Sequence, residues 1–375
     1  MGLFSSSKDS YLGVDIGTAS IKVVELKRES GKPFLVTYGY IDISSDIIRS
    51  NTPETRQRII TGLKKVLKSA DVTTDRAIAA LPTFSVFNSI ITLPKMPAKD
   101  LNSAIKWEAK KYVPLPLEEM ILDFKVLNEK EEIEATSSQE QESKGKFHLL
   151  GNKTAKFGSE QSRTNRVLVT AAPKNLVSRY IEIFKQTGLK LISLETEAFA
   201  LARSMVGYNE APSMIVDIGS ITTDTCVIEK GVAILNRSVD IGGLSITQAI
   251  ANSLNISVER AEQFKRDFGV SINQDVNQKG IPKLIISALT PVINEIKYVF
   301  DLYHNQGTME IEKIILSGGS AFLPNLTDYF SNFFNKPTII GNPWDKIIYP
   351  LELKPVLDEI GSRLAVAIGL AMRDI

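Results

Sequence analysis

Two copies of one short pattern carry side chains that suit phosphate and metal chemistry. The first copy is Val-Asp-Ile-Gly-Thr, from Val14 to Thr18, and the second is Val-Asp-Ile-Gly-Ser, from Val216 to Ser220. Glycine lets the backbone approach an anion closely, and successive N–H groups of a turn form an anion-binding nest. Two carboxylates facing across a cleft suit Mg²⁺, which keeps waters and takes few direct protein ligands. We therefore interpret Asp15 and Asp217 as water-mediated metal holders.

Hydroxyl and ammonium groups beside both turns extend the predicted phosphate site. Thr18 and Ser20 follow the first turn, and Lys22 can reach a phosphate as a point charge. The phosphate-binding candidates are Gly17, Thr18, Ala19, Ser20, Lys22, Gly219, Ser220 and Thr222. One such turn alone is typical of an ordinary strand connection, because aspartate often caps a turn. The duplication of the whole pattern favours a binding function.

A third glycine-rich turn is predicted to bind a flat ring. The apolar segment 314–316 leads into Gly318, Gly319 and Ser320, and Phe322 follows. Adjacent glycines remove side chains where a base and a ribose could lie against the backbone. A comparable turn, which includes Gly243, precedes a predicted helix. Alone, a strand–Gly-Gly–helix turn is mostly structural.

The elements that must position these turns are two similar meanders and several helices. Each Asp-Gly turn follows an apolar strand and precedes a second strand, a glycine turn and a third strand. The predicted later strands are 20–26 and 34–40 in the first copy, and 223–228 and 232–235 in the second. The predicted helices include 54–70, 99–112 with Tyr112 facing inward, 174–187, and 283–304 interrupted at Pro291. Strands alternating with helices predict an α/β protein.

Composition and charge exclude several classes of protein. Among 375 residues, 44 Lys and Arg balance 43 Asp and Glu, for a net charge of +1. This balance argues against general nucleic-acid binding, for which a basic stripe is expected. The single cysteine, Cys226, cannot form an internal disulfide, which fits a reducing cytosol. No apolar run is long enough to span a membrane. Residues 128–165, acidic and then basic, are predicted to form a mobile hairpin loop.

In their order along the chain, the motifs resemble those of the actin, hexokinase and chaperone ATPase superfamily. Residues 197–203 and 365–371 match its two connecting helices. The resemblance implies a duplicated actin-like, ribonuclease H-like fold of two lobes that binds ATP with Mg²⁺. It also implies a phosphate contact from Lys22 and a position near the nucleotide for Gly243. Glu262 and Lys265 would then approach adenine and ribose, while Gly318, Gly319 and Phe322 would bracket the base.

Two glutamates are candidates for a catalytic role. Glu195 and Glu197 lie near the start of the first connecting helix, where the superfamily often places a residue that orients the attacking water. Alternatively, both are carboxylates at a helix N-terminus that are stabilised by the helix dipole. We expect slow ATP hydrolysis at most.

The segment 107–124 identifies a narrower family. Its sequence, WEAKKYVPLPLEEMILDF, resembles the signature of the PilM family of type IV pilus assembly proteins, as do residues 93–97, 342–344 and 1–4. The resemblance implies an inserted subdomain of the FtsA type. It also implies a cytoplasmic protein that binds ATP and holds the N-terminal cytoplasmic peptide of the membrane protein PilN. That peptide would lie in a groove between the first lobe and the inserted subdomain.

The expected organisation and function follow from this resemblance. We expect a first lobe of residues 1–82, 193–210 and 345–375, and an inserted subdomain of residues 83–192. The second lobe would span 211–344, with 245–285 as its helical outer subdomain. The protein would be an ATP-binding adaptor of the pilus inner-membrane platform, attached to the membrane through PilN, with other platform proteins as further partners.

Two other functions are compatible with the same fold. An FtsA-like division or cytoskeletal protein is the nearer alternative, although the sequence ends at Ile375, directly after the last core helix. A small-substrate kinase is the more distant one, because the inserted segment does not look like that of the kinases.

Overall fold

Three β-sheets organise the part of the chain that the computed structural model describes, which is residues 9–43, 52–113, 115–127, 164–207, 211–270, 280–306 and 309–375. Their strand orders are β3-β2-β1-β4-β8, β11-β10-β9-β12-β13 and β5-β7-β6. The strands are β1 (Ser10–Ile16), β2 (Ser20–Glu29), β3 (Lys32–Asp42), β4 (Arg76–Leu81), β5 (Phe87–Pro94), β6 (Met120–Val126), β7 (Thr164–Pro173), β8 (Lys190–Thr196), β9 (Ser213–Ile218), β10 (Thr223–Glu229), β11 (Val232–Val239), β12 (Lys313–Ser317) and β13 (Thr338–Ile340). The helices are α1 (Pro53–Ser69), α2 (Ala98–Ala109), α3 (Lys174–Thr187), α4 (Glu197–Met205), α5 (Gly243–Leu254), α6 (Val258–Phe268), α7 (Ile281–Gln306), α8 (Leu326–Phe334) and α9 (Lys354–Ala371).

The two five-stranded sheets repeat one topology. In the first, β1, β2 and β3 form an antiparallel meander, and β4 and β8 continue the sheet in parallel from β1. In the second, β9, β10 and β11 form the meander, and β12 and β13 continue in parallel from β9. The predicted duplication is therefore present. The last strand of the second meander extends to Val239, beyond the predicted residue 235.

Helices α4 and α9 pack between the two sheets and join the two lobes. One buried cluster contains Ile78 from the first sheet, Leu201 from α4, Leu370 from α9 and Ile315 from the second sheet. The contact between the helices is close, because a Cβ added at Gly369 of α9 would lie 1.9 Å from the carbonyl oxygen of Ala200 in α4. These helices therefore link any movement of one lobe to the other.

The three-stranded sheet and α2 form a separate unit with its own core. Ile91, Ile105, Val169 and Ala171 are buried together in this core. Tyr112, predicted to face inward, is 49% exposed instead. Helix α2 ends at Ala109, so the helical period no longer applies at that residue. We call this unit, residues 83–173, the inserted subdomain.

The structure differs from the expected boundary at the end of the inserted subdomain. Residues up to 192 were assigned to it, yet α3 packs on α1, and β8 joins the first sheet. Tyr180, Ile183 and Phe184 of α3 belong to the same buried cluster as Leu63 of α1. The amphipathic face of α3 is thus buried against the first lobe.

Helix α7 continues through Pro291, where an interruption was predicted. Proline in a helix interior costs about 3 kcal/mol. The apolar face of α7 is buried on both sides of this residue, with Ile285 and Leu289 before it and Ile296 after it in one core cluster. Burial of that continuous face outweighs the local cost.

The predicted mobile loop 128–165 lies outside the described residues, except for its last two residues, which begin β7. Within the described part of the chain, no helix is both long and apolar enough to cross a membrane.

Candidate functional site

A cleft of about 900 Å³ is lined by residues of both five-stranded sheets. This volume is typical of a small-molecule site. It is lined by every residue predicted to bind nucleotide or metal, namely Asp15, Gly17, Thr18, Ala19, Ser20, Lys22, Asp217, Gly219, Ser220, Thr222, Gly243, Glu262, Lys265, Gly318, Gly319, Ser320 and Phe322. The structure therefore brings together side chains that are far apart in the sequence.

The two Asp-Gly turns are closed by equivalent hydrogen bonds. The N–H of Gly17 donates to the carbonyl oxygen of Ser20 at 2.9 Å, and the N–H of Gly219 donates to that of Thr222 at 2.9 Å. Each turn reverses the chain between the first two strands of its meander. The two turns thus present backbone and hydroxyl groups to the cleft from both lobes.

Lys22 is held beside the first turn by Asp15. Its Nζ donates to Oδ2 of Asp15 at 2.7 Å, and the two residues face each other across β1 and β2. A Cβ added at Gly17 would lie 3.1 Å from this Nζ. Glycine at this position therefore leaves the ammonium group in place, within the cleft lining.

The carboxylates of the cleft suit a cation that arrives together with a ligand. Burial raises the pKa of Asp217, so a charged carboxylate at this position lacks full stabilisation without a cation. Among the described residues, no group of three or more His, Cys, Asp or Glu forms a ready metal site. A hard cation such as Mg²⁺ would need further oxygen ligands, which phosphate and water could supply. Asp15 and Asp217 fit this role.

Glu262 and Lys265 form an ion pair at the other end of the cleft. Their atoms Oε2 and Nζ are 2.6 Å apart, and Nζ also donates to the carbonyl oxygen of Gly243 at 3.1 Å. Burial lowers the pKa of Lys265. Burial alone would raise the pKa of Glu262, but hydrogen bonds from Lys265 and Thr247 outweigh it, and the net shift is downward. The pair is ionised and connects α6 to the start of α5.

The Gly-Gly turn after β12 also lines the cleft. Gly318 has φ of +85°, in the left-handed region, and its added Cβ would lie 2.5 Å from the carbonyl oxygen of Ile218. Only glycine fits such a position without strain. The ring of Phe322 is 45% exposed and lines the cleft, which suits stacking on a flat base.

The structure separates the two glutamates proposed for catalysis. Glu197 lines the cleft, and burial, followed by the charges of Asp224 and Asp15, raises its pKa well above the ordinary value. Glu195 is not among the lining residues in the described part of the chain. Its carboxylate pairs with Arg203 at 3.0 Å and Arg373 at 2.6 Å, so it ties β8 to α4 and the chain end after α9.

Several cleft residues were not predicted as site residues, among them Asp224, Arg266 and Arg363. Asp224 lies directly opposite Asp217 in the pairing of β9 with β10, and its Oδ1 is buried without a hydrogen-bond partner among the described residues. The pKa of Asp224 is raised to about 7, and burial is the main cause. The hairpin register could have identified Asp224, because directly paired residues share one face of a sheet. Arg363 pairs with Asp42, and Arg266 pairs with Glu262; no signal in the sequence marks either one.

Comparisons with known proteins agree with this architecture. A family model described as type IV pilus assembly protein PilM matches residues 13–140 and 149–375. The chain is similar to a solved chain titled PilM-PilN type IV pilus biogenesis complex, with a TM-score of 0.77, 25% identity, and coverage of 97% of this chain and 98% of that one.

More distant similarities concern the fold. The chain is 22% identical over 218 residues to cell division protein FtsA of Staphylococcus epidermidis, covering 52% of this chain and 46% of that protein. The chain thus spans about half the length of the curated relatives that it matches. MreB 5 of Spiroplasma citri bound to AMPPNP matches with a TM-score of 0.52 and 13% identity, over 96% of this chain and 95% of that one. The predicted actin-like fold is confirmed.

Proposed function

The chain belongs to the family of type IV pilus assembly protein PilM, and on that premise we propose that it is an ATP-binding adaptor of the pilus assembly platform. It binds the N-terminal cytoplasmic peptide of a PilN-type membrane protein, and ATP changes this binding. Its place is the cytoplasmic face of the inner membrane, where it is held through its partner. The similarity to a chain from a PilM-PilN complex supports this choice of partner.

The observation that carries ATP binding is the equivalence of the two phosphate turns. Both close with the same N–H to carbonyl bond, and both line one cleft together with Asp15 and Asp217. In the proposed complex, the turns and Lys22 bind the phosphates, and the two aspartates hold Mg²⁺ through water. Bound Mg²⁺ would supply charge neutralisation for the phosphates.

The other end of the cleft accounts for the base and the ribose. Glu262 and Lys265 are fixed by their ion pair and approach the ribose and the adenine. Gly318, Gly319 and Phe322 bracket the ring, because the glycines leave space against the backbone and Phe322 offers an exposed face. Ser320 and Gly243 complete this end.

Slow hydrolysis fits the state of Glu197. A general base must be deprotonated to orient or accept a proton from the attacking water. The raised pKa of Glu197 leaves a smaller ionised fraction in the ligand-free protein, and its Oε2 already accepts two hydrogen bonds from Thr83. An adaptor that must keep ATP bound does not need a higher rate of hydrolysis.

Calorimetric titration of the purified chain with a synthetic peptide of its PilN partner, with and without Mg-ATP, tests the proposal. Peptide binding that is at least several-fold tighter or weaker with Mg-ATP supports a nucleotide-linked adaptor. The Asp217→Ala variant should lose Mg-ATP binding while it keeps its circular dichroism spectrum. Normal ATP binding without any peptide binding would instead favour the FtsA-like division or cytoskeletal function.

A further inference from the structure

One cleft carboxylate holds the point where the chain enters the inserted subdomain. Oε2 of Glu197 accepts hydrogen bonds from the N–H of Thr83 and from its hydroxyl, both at 2.9 Å. Thr83 begins the short helical turn, ending at Ser85, that leads from β4 to β5. This residue is 7% exposed, so water competes weakly for these bonds.

The second lobe contacts the same turn from another side. Strand β11 lies against both the turn and β5. Pro82 and Phe84, which flank Thr83, line the cleft themselves. The turn therefore contacts the nucleotide cleft, the second lobe and the first strand of the inserted subdomain.

Glu197 also belongs to the connection between the lobes. It is the first residue of α4, which packs against α9 between the two sheets, and the chain passes from α4 to the second lobe. A change of position or charge at this carboxylate therefore acts on Thr83 directly. A movement of the second lobe acts on the same turn through β11.

We propose that the Glu197–Thr83 contact transmits the nucleotide state of the cleft to the inserted subdomain. This inference rests on the proposed function, since it needs a nucleotide in the cleft. When Mg-ATP binds, the cation and the ordered water compete with Thr83 for the carboxylate of Glu197. The turn then moves, and the inserted subdomain changes its orientation relative to the first lobe. Thr83 is a positioning residue in this scheme and takes no part in the chemistry.

Distances between spin labels can follow the inserted subdomain and the lobes separately. Cys226 is 3% exposed, so labels attach selectively at introduced cysteines. Exposed positions for them are Ser103 on α2, Lys64 on α1 and Asn294 on α7. The pair 64–103 reports the inserted subdomain, and the pair 64–294 reports closure of the lobes. Each pair is measured without ligand and with a non-hydrolysable ATP analogue and Mg²⁺.

The matched variants are Thr83→Val, which removes the hydroxyl at nearly constant size, and Thr83→Ser, which keeps it. In the wild type, both distances should shift with nucleotide. In Thr83→Val, the 64–103 shift should fall to less than about half, because one of the two bonds is lost. The 64–294 shift should stay unchanged. The nucleotide affinity should rise or stay equal but never fall, because Mg-ATP displaces one bond fewer from Glu197. Thr83→Ser should restore the full response.

The outcomes separate this inference from the proposed function. The inference is overturned if the 64–103 shift is equal in Thr83→Val and the wild type. It is also overturned if a wild type that binds nucleotide shows no 64–103 shift. Both outcomes leave the proposal of ATP binding intact. A wild type that binds no nucleotide overturns both. If Thr83→Val does not fold, amide hydrogen exchange at Thr83 in the wild type decides. A several-fold change with nucleotide supports the proposal, and an unchanged rate overturns it.

Discussion

Asp224 gives the sharpest test of the electrostatics of the cleft. It lies on β10 opposite Asp217, its Oδ1 is buried without a hydrogen-bond partner among the described residues, and its pKa is about 7. At pH 8 without ligand, the folded protein must therefore hold a poorly stabilised charge. Replacing it by asparagine, which has the same shape and no charge, should stabilise the ligand-free protein.

The magnitude follows from the shift in pKa. The pKa rises from a reference of 3.8 to about 7, so the difference of about 3 units corresponds to about 4 kcal/mol. Between these values the folded state binds more protons than the unfolded state. The free energy of unfolding therefore falls as the pH rises from about 4 to about 7, and the loss is complete above that. Asp224→Asn removes this loss, with a gain of up to about 4 kcal/mol at pH 8 and close to none at pH 4.

The assay is thermal unfolding of both proteins from pH 4 to pH 8. At about 2–4 °C per kcal/mol, the transition temperature of Asp224→Asn should exceed that of the wild type by on the order of 10 °C at pH 8. Asp301→Asn, at an exposed position on α7, serves as the control and should show no pH-dependent gain. Equal transition temperatures at pH 8, or an equal gain at pH 4, would refute the reasoning.

The same substitution should act in the opposite direction on ligand binding. If the carboxylate of Asp224 is kept in the cleft for a cation, Asp224→Asn should bind Mg-ATP more weakly while it is more stable without it. Such an exchange of stability for function is common at binding sites. Because Asp224 also raises the pKa of Glu197, the combined variant with Glu197→Gln should gain less than the sum of the single gains.

Three further outcomes follow from the contacts described above. Glu195→Gln should lower the free energy of unfolding by roughly 2 kcal/mol, since it weakens two ion pairs, but leave ATP hydrolysis unchanged. Glu197→Gln should slow ATP hydrolysis without lowering the free energy of unfolding. Denaturant titration and a phosphate-release assay distinguish the two variants. Gly369→Ala should cost at least about 2 kcal/mol because its Cβ would meet α4, whereas Gly319→Ala, which meets no atom within 4 Å, should melt like the wild type. Removal of Mg²⁺ by EDTA should weaken ATP binding at least about tenfold, or about 1.4 kcal/mol in calorimetry, and equal affinity would contradict the assignment of Asp15 and Asp217.

Local patterns predicted the two Asp-Gly turns and most helices because each is specified by a few neighbouring residues. The Asp-Gly turns at Asp15 and Asp217 recur with the same strand order around them, and the structure closes both with the same bond. Helix α3 was predicted with its correct bounds, since its apolar period and its closing Gly188 lie within one segment. The family resemblance was confirmed for the same reason, because its signatures are contiguous stretches.

Tertiary packing determines the structural features that local sequence patterns did not predict. Pro291 predicts an interruption, but the buried face of α7 continues on both sides of it. The amphipathic face of α3 does not say which lobe will cover it, and the structure packs it on α1. Glu195 and Glu197 are equivalent in the sequence. The strand position of Glu195 turns its carboxylate to Arg203, while Glu197 begins α4 beside the cleft.

The charge of the cleft supports the proposed role of a cation. Among the described lining residues there are seven carboxylates, Asp15, Asp42, Glu197, Asp217, Asp224, Glu262 and Glu359, and four basic groups, Lys22, Lys265, Arg266 and Arg363. Each basic group is already in an ion pair with a cleft carboxylate. A bare polyphosphate would therefore meet a net negative surface, whereas its Mg²⁺ complex brings the missing charge. Under the proposed function, burial raises the pKa values of Asp217, Asp224 and Glu197 because these carboxylates lie in a site whose charge would be balanced only by a bound metal–nucleotide complex.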